Sequence, residues 1–345
     1  MDVLVTTDPG IEDITAEEAA ERTRVQTVRI EPFGFPGHLL ISIARADLAR
    51  LLSIRSAHHI IELISAERLA EPTLDAIKAR ITHTQILPLE SAERFRVTAQ
   101  RTGTHDFTSM DIAREVGAAL YERYRVRVDL EGYDVNVRVQ LIDTMLVIGI
   151  QHTRESLARR YDRAYIQRAT LKGTLAYAML RLARAADART ILDPFCGSGT
   201  ILLEAAQAYP HLTLYGGDRD VRAVAGAREN IARANLSRKI TVREADARDL
   251  DEAYANVRAD AIVSNLPYGL RIARKADHQR LYERFLSGAD MVLGDDGRIV
   301  VLALKQALLE RTVSRSALWR VSHKRRVETG GVYPGLFVIE RKKSL

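Results

Sequence analysis

The sequence predicts an α/β protein whose second half folds as a doubly wound, mainly parallel sheet. Three observations carry that expectation. From about residue 170, short β-rich apolar runs alternate with helical stretches, which places helices on both faces of a parallel sheet. The first of those runs, TILD, leads directly into PFCGSGT and then a helical stretch, an order that brings backbone N–H groups up to a ligand. Finally, Asp193, Asp218 and Asp246 each fall just after a successive predicted strand, so they share one edge of the sheet.

The chain has 345 residues, 46% apolar and 28% charged, which are ordinary globular values with room for about two or three domains. Cys196 is the single cysteine, so neither an intrachain disulfide nor a Cys-rich zinc site can form. The nine histidines show no HExxH or other paired ligand spacing, and no metal is expected. The start MDVLVTTDPGIED carries acids rather than a basic leader, and no apolar run reaches the roughly 18–20 residues of a membrane span. A cytoplasmic monomer without membrane association is the expectation. Charge is uneven. Through Glu93 there are 9 Lys and Arg against 15 Asp and Glu, which leaves 42 bases and 30 acids in the remainder. A basic body behind an acidic front suggests a polyanionic partner, although a solvated basic surface reads the same way.

Residues 1–65 read as strand, helix, strand, helix, strand. VLVTT and HLLISIA supply β-rich cores, EDITAEEAAERT and RADLARLLS are helical, FGFPGH is a turn, and HHIIELIS is a further apolar run. Residues 66–152 form a second unit. Its strand FRVTAQR enters the polar loop TGTHDFTS, and Ser109 is placed to cap a helix starting near Met110, with Ile112, Val116, Ala119 and Leu120 on one face. VRVDL, then DVNVRVQLI with Val135, Val137, Val139 and Leu141 alternating, then TMLVIGI complete it. The unit is rich in arginine, whose planar fork donates twice to phosphate. Arg96, Arg101, Arg123 and Arg125 are the candidate RNA contacts, with pairing to nearby acids as the alternative for each.

The series FRVTAQRTGTHDFTSMDIAREVGAALYER and VRVDLEGYDVNVRVQL resembles the THUMP domain, an RNA-binding module of thiouridine synthases and RNA methyltransferases. The front module would be its ferredoxin-like companion. A charged linker, residues 153–169, contains several arginines and leads into the helical stretch TLKGTLAYAMLRLARAA.

In residues 170–345 the order is TILD, SGTILLEAAQAY, LTLYGGD, VRAVAGARENIARAN, ITVREAD, DAIVSN, a helix around LYERFLSGADMVL, and RIVVLAL. The tail RVSHKRRVET with GGVYPGLFVIERK reads as an antiparallel pair. Gly197 and Gly199 allow close backbone approach, but Leu202 stands where a dinucleotide fingerprint needs its third glycine. Asp218, 25 residues beyond Asp193, falls where an acid that binds ribose hydroxyls is expected. Helix capping is the plainer use of each acid taken alone.

DPFCGSGTILLEAA, GGDRD, EADARDL and SNLPYG, in that order, resemble the successive motifs of class I S-adenosylmethionine-dependent methyltransferases. The resemblance implies a seven-stranded Rossmann-like domain and S-adenosylmethionine as cofactor. It implies that Asp193, Pro194, Phe195, Cys196, Gly197, Ser198, Gly199 and Thr200 hold the methionine part. Asp218 with Arg219 would hold the ribose, and Asp246 with Ala247 the adenine edge. Asn265 would lie beside the methyl group and, with Leu266, Pro267 and Tyr268, form the catalytic loop. In that framework the Asn265 amide oxygen and the Leu266 carbonyl accept the two hydrogens of an exocyclic amine and aim its nitrogen. Pro267 stiffens the turn, and Tyr268 stacks on a base drawn out of its helix. Cys196, in the cofactor loop, reads as a small buried filler rather than a nucleophile.

Together the two resemblances point to the THUMP-containing RNA guanine-N2 methyltransferases. SNLPYG and the length look most like the transfer-RNA enzymes acting at G6 of the acceptor stem, whose THUMP unit is thought to hold the 3′ CCA end. N2-methylation of G10 in tRNA or of a guanosine in 23S rRNA stays open. So do DNA adenine-N6 or protein glutamine methylation, which share the loop, and a non-catalytic RNA-binding protein.

Overall fold

The computed structural model describes residues 1–166, 170–267 and 275–342, leaving aside the side chains of 275–277. It forms two compact units: Met1–Thr7 with Thr15–Leu157, and Asp8–Ile14 with Ala158–Leu345.

The elements of the first unit are β1 Asp2–Thr7, α1 Glu12–Arg22, β2 Thr27–Ile30, β3 His38–Ser42, α2 Leu48–Leu51, β4 Ala57–Arg68, α3 Leu74–His83, β5 Arg94–Thr102, α4 Ser109–Tyr124, β6 Arg127–Val128, β7 Val135–Ile142 and β8 Met145–Gln151. All eight strands join one sheet in the order β2-β3-β1-β4-β8-β7-β5-β6. The twelve-residue β4 pairs with both β1 and β8, so it bridges the two halves of the sheet. Several elements depart from the sequence expectation, which contains no helix over Leu74–His83, where α3 forms. β2 is an additional, mostly exposed edge strand with too few apolar residues to signal itself. RADLARLLS forms a short 3-10 turn before the four-residue α2 rather than one continuous helix. Ser109 does not cap α4; Thr108 does. Thr108 accepts from Asp111 N at 3.2 Å while the Asp111 carboxylate accepts from Thr108 N at 2.8 Å, a reciprocal box that Ser109, one residue later, cannot close.

The alternation read in β7 is real, but both of its faces are buried. Val137, Val139 and Leu141 pack with Ile112, Val116 and Leu120 of α4. On the other face Asn136, Arg138 and Gln140 satisfy polar neighbours: Thr98 donates to Asn136 at 2.8 Å and Gln140 to Gln100 at 3.1 Å, and Arg138 donates to Gln100 and Gln151. A buried polar row persists only when it is hydrogen-bonded in this way.

The second unit contains α5 Gly173–Leu182, β9 Thr190–Asp193, α6 Thr200–Ala208, β10 Thr213–Asp218, α7 Val221–Arg233, β11 Ile240–Glu244, α8 Leu250–Ala253, β12 Ala259–Asn265, α9 Lys275–Val292, β13 Leu293–Ala303, α10 Gln306–Arg315, β14 Trp319–Arg326 and β15 Gly335–Arg341. The seven strands run in the order β11-β10-β9-β12-β13-β15-β14. The first five are parallel, and β15 and β14 close the sheet antiparallel. Residues of α5, α6 and α7 pack on one face, and those of α8, α9 and α10 on the other. Each fully buried Leu or Phe contributes about 1.5–3 kcal/mol, so the two apolar layers hold the sheet rigid. The chain leaves β9 toward β10 and β11, then returns on the opposite side of β9 with β12. That reversal opens a crevice at the carboxyl ends of β9 and β12, where ligands of such sheets bind.

One contribution to this unit comes from far away in the sequence. Ile11 and Ile14 join the core around α5, Lys172 donates to Asp8 at 2.6 Å, and Arg325 grips both oxygens of Asp13 at 2.6 and 2.9 Å. Burial tends to raise the Asp13 carboxyl, but the Arg325 guanidinium and backbone N–H groups outweigh it and hold it below the usual range.

Candidate active site

Each side chain at the crevice is placed by a strand end. Asp193, the last residue of β9, is 1% exposed. Burial pushes its carboxyl up to about 7; the Ser264 hydroxyl and the Phe195 N–H at 3.2 Å oppose that rise, and the Asp218 charge adds to it. The loop then turns back on β10. Cys196 N donates to Gly217 O at 2.8 Å, and Gly197 N donates to Asp218 Oδ2 at 3.1 Å. Gly197 (φ 53°) and Gly199 (φ 81°) lie in the left-handed region, where a side chain is strained, and Gly199 is the N-cap of α6. Pro194 is buried between Asp193 and the half-buried Phe195, whose ring meets Phe285 edge-on at 5.6 Å. Ser198 and Thr200 are buried, with their hydroxyls 3.4 Å apart. Cys196 is buried, and burial with the two nearby aspartates pushes its thiol well up, so it stays neutral and fills space.

β10 has glycines where the corner needs room. A Cβ on Gly216 would stand 2.5 Å from Leu202, and one on Gly217 would stand 2.3 Å from the Tyr254 hydroxyl. Asp218 is half-buried. Burial raises its carboxyl, while the Asp220 N–H at 2.9 Å and the Gly197 N–H hold it back. Arg219 is exposed. Beyond β11, Asp246 is engaged by its own neighbour: Arg248 donates through Nε at 2.9 Å to one oxygen and through Nη2 at 2.5 Å to the other, and these bonds lower the Asp246 carboxyl. Ala247 is buried in the core beside Leu250.

β12 completes the crevice. Ser264 is buried and Asn265, the last strand residue, is half-buried, in register with Leu302 of β13. The Asn265 Oδ1 atom is shielded from solvent and has no hydrogen-bond partner among the described residues. An unpaired buried acceptor costs about 1–3 kcal/mol, so this atom could accept from a ligand donor. Leu266 is buried, and its N–H continues the ladder to Leu302 O at 2.9 Å, while Pro267 is half-buried. Tyr268 lies outside the described residues.

Asn230 of α7 is a further residue of the site, absent from the sequence-based candidates. Its side chain accepts the Tyr165 N–H at 3.0 Å and donates to Tyr165 O at 2.8 Å and Ser198 O at 3.0 Å, so it fastens the segment before α5 to the cofactor-loop backbone. A polar residue among the buried Ala223, Val224, Ala227 and Ile231 was the available signal. Glu204 of α6 anchors the same segment, pairing with Arg160 at 3.3 Å and accepting from the Tyr161 hydroxyl. Among the described residues no group of three or more His, Cys, Asp or Glu side chains could hold a metal ion.

The four candidate RNA arginines of the first unit differ in what they already touch. Arg123 donates to Thr82 O at 2.6 Å and Thr84 O at 2.9 Å, which closes the end of α3 and gives it a structural task. Arg96 donates to Leu130 O at 3.0 Å and lies over the Tyr133 ring at 5.1 Å. Arg101 donates to Gly103 O at 2.7 Å. Arg125 ends α4 in the left-handed conformation, its guanidinium 5.9 Å over the Tyr121 ring.

Residues 72–151 match the THUMP domain and residues 159–334 match the family described as RMKL-like, methyltransferase domain. The chain belongs to that methyltransferase family, carries a THUMP domain ahead of its catalytic sheet, and is an S-adenosylmethionine-dependent enzyme. It is similar to proteins named tRNA (guanine(6)-N2)-methyltransferase, among them that of Thermus thermophilus, 39% identical across 97% of this chain and 98% of the relative. That of Archaeoglobus fulgidus is 29% identical across 96% and 90%. The crystal structure of TrmN from Thermus thermophilus superposes with a TM-score of 0.82 at 36% identity, covering 99% of both chains. The structure of SMU.472 complexed with SAH shares the fold, with a TM-score of 0.80 at 18% identity over 100% of this chain and 99% of that one.

Proposed function

We propose that the chain transfers a methyl group from S-adenosylmethionine to the exocyclic N2 of guanosine 6 in the acceptor stem of tRNA. The full-length likeness to enzymes named for that position supports the substrate. The observation that carries the chemistry is the meeting, at one crevice, of a glycine corner backed by Asp193 and Asp218 with Asn265 Oδ1, buried and without a partner among the described residues.

The residues fit the cofactor: two left-handed glycines clear space, and Asp218 presents a half-buried carboxylate suited to ribose hydroxyls. Bound S-adenosylmethionine supplies an electrophilic sulfonium methyl for in-line displacement by the amine, and the departing proton passes to water. Asn265 Oδ1 accepts one N2 hydrogen and the Leu266 carbonyl the other, which turns the delocalised lone pair toward the methyl. Pro267 limits the turn that carries both acceptors. The role of Tyr268 as a stacking platform for the extruded base remains an expectation from the family pattern. No strong base is needed, because the amine sheds its proton only after it has become cationic. Asp246 would meet the adenine edge with a carboxylate that Arg248 orients through both of its oxygens. The THUMP-containing unit would hold the 3′ CCA end, with Arg96, Arg101 and Arg125 available to phosphate. The enzyme would act in the cytoplasm; among the described residues no helix is long and apolar enough to cross a membrane.

Incubation of a tRNA transcript with the protein and S-adenosylmethionine, followed by mass mapping of nuclease fragments, tests this reading. N2-methylguanosine at position 6, lost when that guanosine is replaced by adenosine, is the expected result. Methyl groups at position 10 or only in 23S rRNA would overturn the substrate.

A further inference from the structure

Ser264 stands one residue before Asn265 and is fully buried. Its hydroxyl donates to Asp193 Oδ1 and accepts the Phe195 N–H at 3.3 Å. Between β9 and β12 the main chains pair at Ala261↔Ile191 and Ile262↔Leu192 and stop there, before the crevice opens. Beyond that pairing the Ser264 side chain bonds both the last residue of β9, Asp193, and the loop that follows it at Phe195. It links the strand that ends in the amine acceptor to the loop that faces the cofactor.

We propose that Ser264 is a positioning residue for methyl transfer, its hydroxyl fixing Asn265 against the cofactor corner and holding the Asp193 carboxyl in place. This rests on the reading of the site given above. Burial drives Asp193 toward the neutral acid, and the Ser264 O–H is the foremost group opposing it, because a donor to a carboxylate favours the charged state. The other titratable groups bearing on Asp193 are Asp218 on β10, Cys196 in the loop and Tyr254 after α8. The Cys196 thiol and the Tyr254 phenol are both pushed upward by burial and stay neutral, so only Asp218 adds repulsion. The methionine end of the cofactor carries an ammonium and a sulfonium against one carboxylate, a net positive charge that an anionic Asp193 would favour.

The test is calorimetric titration of S-adenosylmethionine into the full chain across a pH series, for the unaltered protein and for S264A, S264T and S264C. Affinity of the unaltered protein is expected to fall as pH drops through about 7, where Asp193 protonates. S264A is expected to move that midpoint upward by about one to two pH units, the equivalent of one hydrogen bond to a charged group. S264T keeps the hydroxyl and returns the midpoint, and the weaker donor of S264C leaves it between the two. If S264A does not fold, the S264C and S264T comparison carries the test. Above both midpoints, S264A turnover is still expected to be down about tenfold, since Asn265 has lost its tie to the corner. Parallel pH curves for the variants, or a pH-independent affinity in the unaltered protein, would overturn the proposal and leave the site reading intact. An unaltered protein that binds no S-adenosylmethionine at any pH would instead sink the site reading itself.

Discussion

Asp218 Oδ2 accepts the backbone N–H of Gly197 at 3.1 Å, so the strand bearing the second acid also holds the loop that follows the first. A change at Asp218 therefore reaches the cofactor site twice, through ribose recognition and through the glycine corner. Asp218→Ala is expected to weaken S-adenosylmethionine binding by about 10–100-fold, the equivalent of one or two hydrogen bonds to a charged group. Isothermal titration checks it, and unchanged affinity would remove Asp218 from the site.

Asp193 links the same corner to pH. Its folded-state carboxyl titrates at about 7, well above the ordinary 3.8, so the folded chain binds this proton more tightly than the unfolded chain. The resulting contribution to stability is fully present below about pH 4 and is lost as pH rises through about 7. Asp193→Asn cannot titrate. Its melting temperature is expected to decline less than that of the parent over this interval, as thermal unfolding at stepped pH would show; parallel declines would contradict it.

Asn230 gives a prediction about stability and binding together. Asn230→Ala would leave the Ser198 carbonyl and both backbone groups of Tyr165 without the partners they have now. The expected loss is on the order of 2–4 kcal/mol by urea unfolding, with S-adenosylmethionine affinity reduced at the same time. Asn230→Asp keeps the acceptor for Tyr165 N–H but loses both donors, so it should bind cofactor no better than the alanine variant.

Two arginines of the THUMP-containing unit should separate structure from RNA contact. Arg123→Ala removes the closure of α3 and is expected to lower the melting temperature. Arg101→Ala is expected to leave it nearly unchanged and to reduce the salt slope of tRNA binding by about one. Filter binding at several salt concentrations, beside thermal unfolding, would distinguish them.

How much of this was legible beforehand depends on where the physics is local. The strand–glycine–helix corner and the acid after each strand are short-range features, and Gly197, Gly199, Asp193 and Asp218 lie at one crevice as their spacing implied. The choice between Thr108 and Ser109 as cap was also local, but it turned on Asp111 three residues after Thr108, a signal passed over. What stayed hidden was tertiary. Nothing adjacent to Asn230 announces that it ties Tyr165 to Ser198, and nothing near Ile11 or Ile14 announces that they pack beside α5. Ser264 was in plain view within SNLPYG, yet its task exists only because β9 and β12 are neighbours. At Asp246 the tertiary detail is Arg248, which engages both oxygens of the carboxylate expected to meet adenine.

The central claim is that Asn265 aims an exocyclic amine at the cofactor's methyl, and single-turnover methylation of a tRNA transcript by Asn265→Ala tests it most directly. With cofactor affinity confirmed by calorimetry to match the parent, the rate is expected to fall by about a hundredfold or more, in line with loss of a group that orients the attacking nitrogen. A variant that methylates at the parental rate would contradict the account.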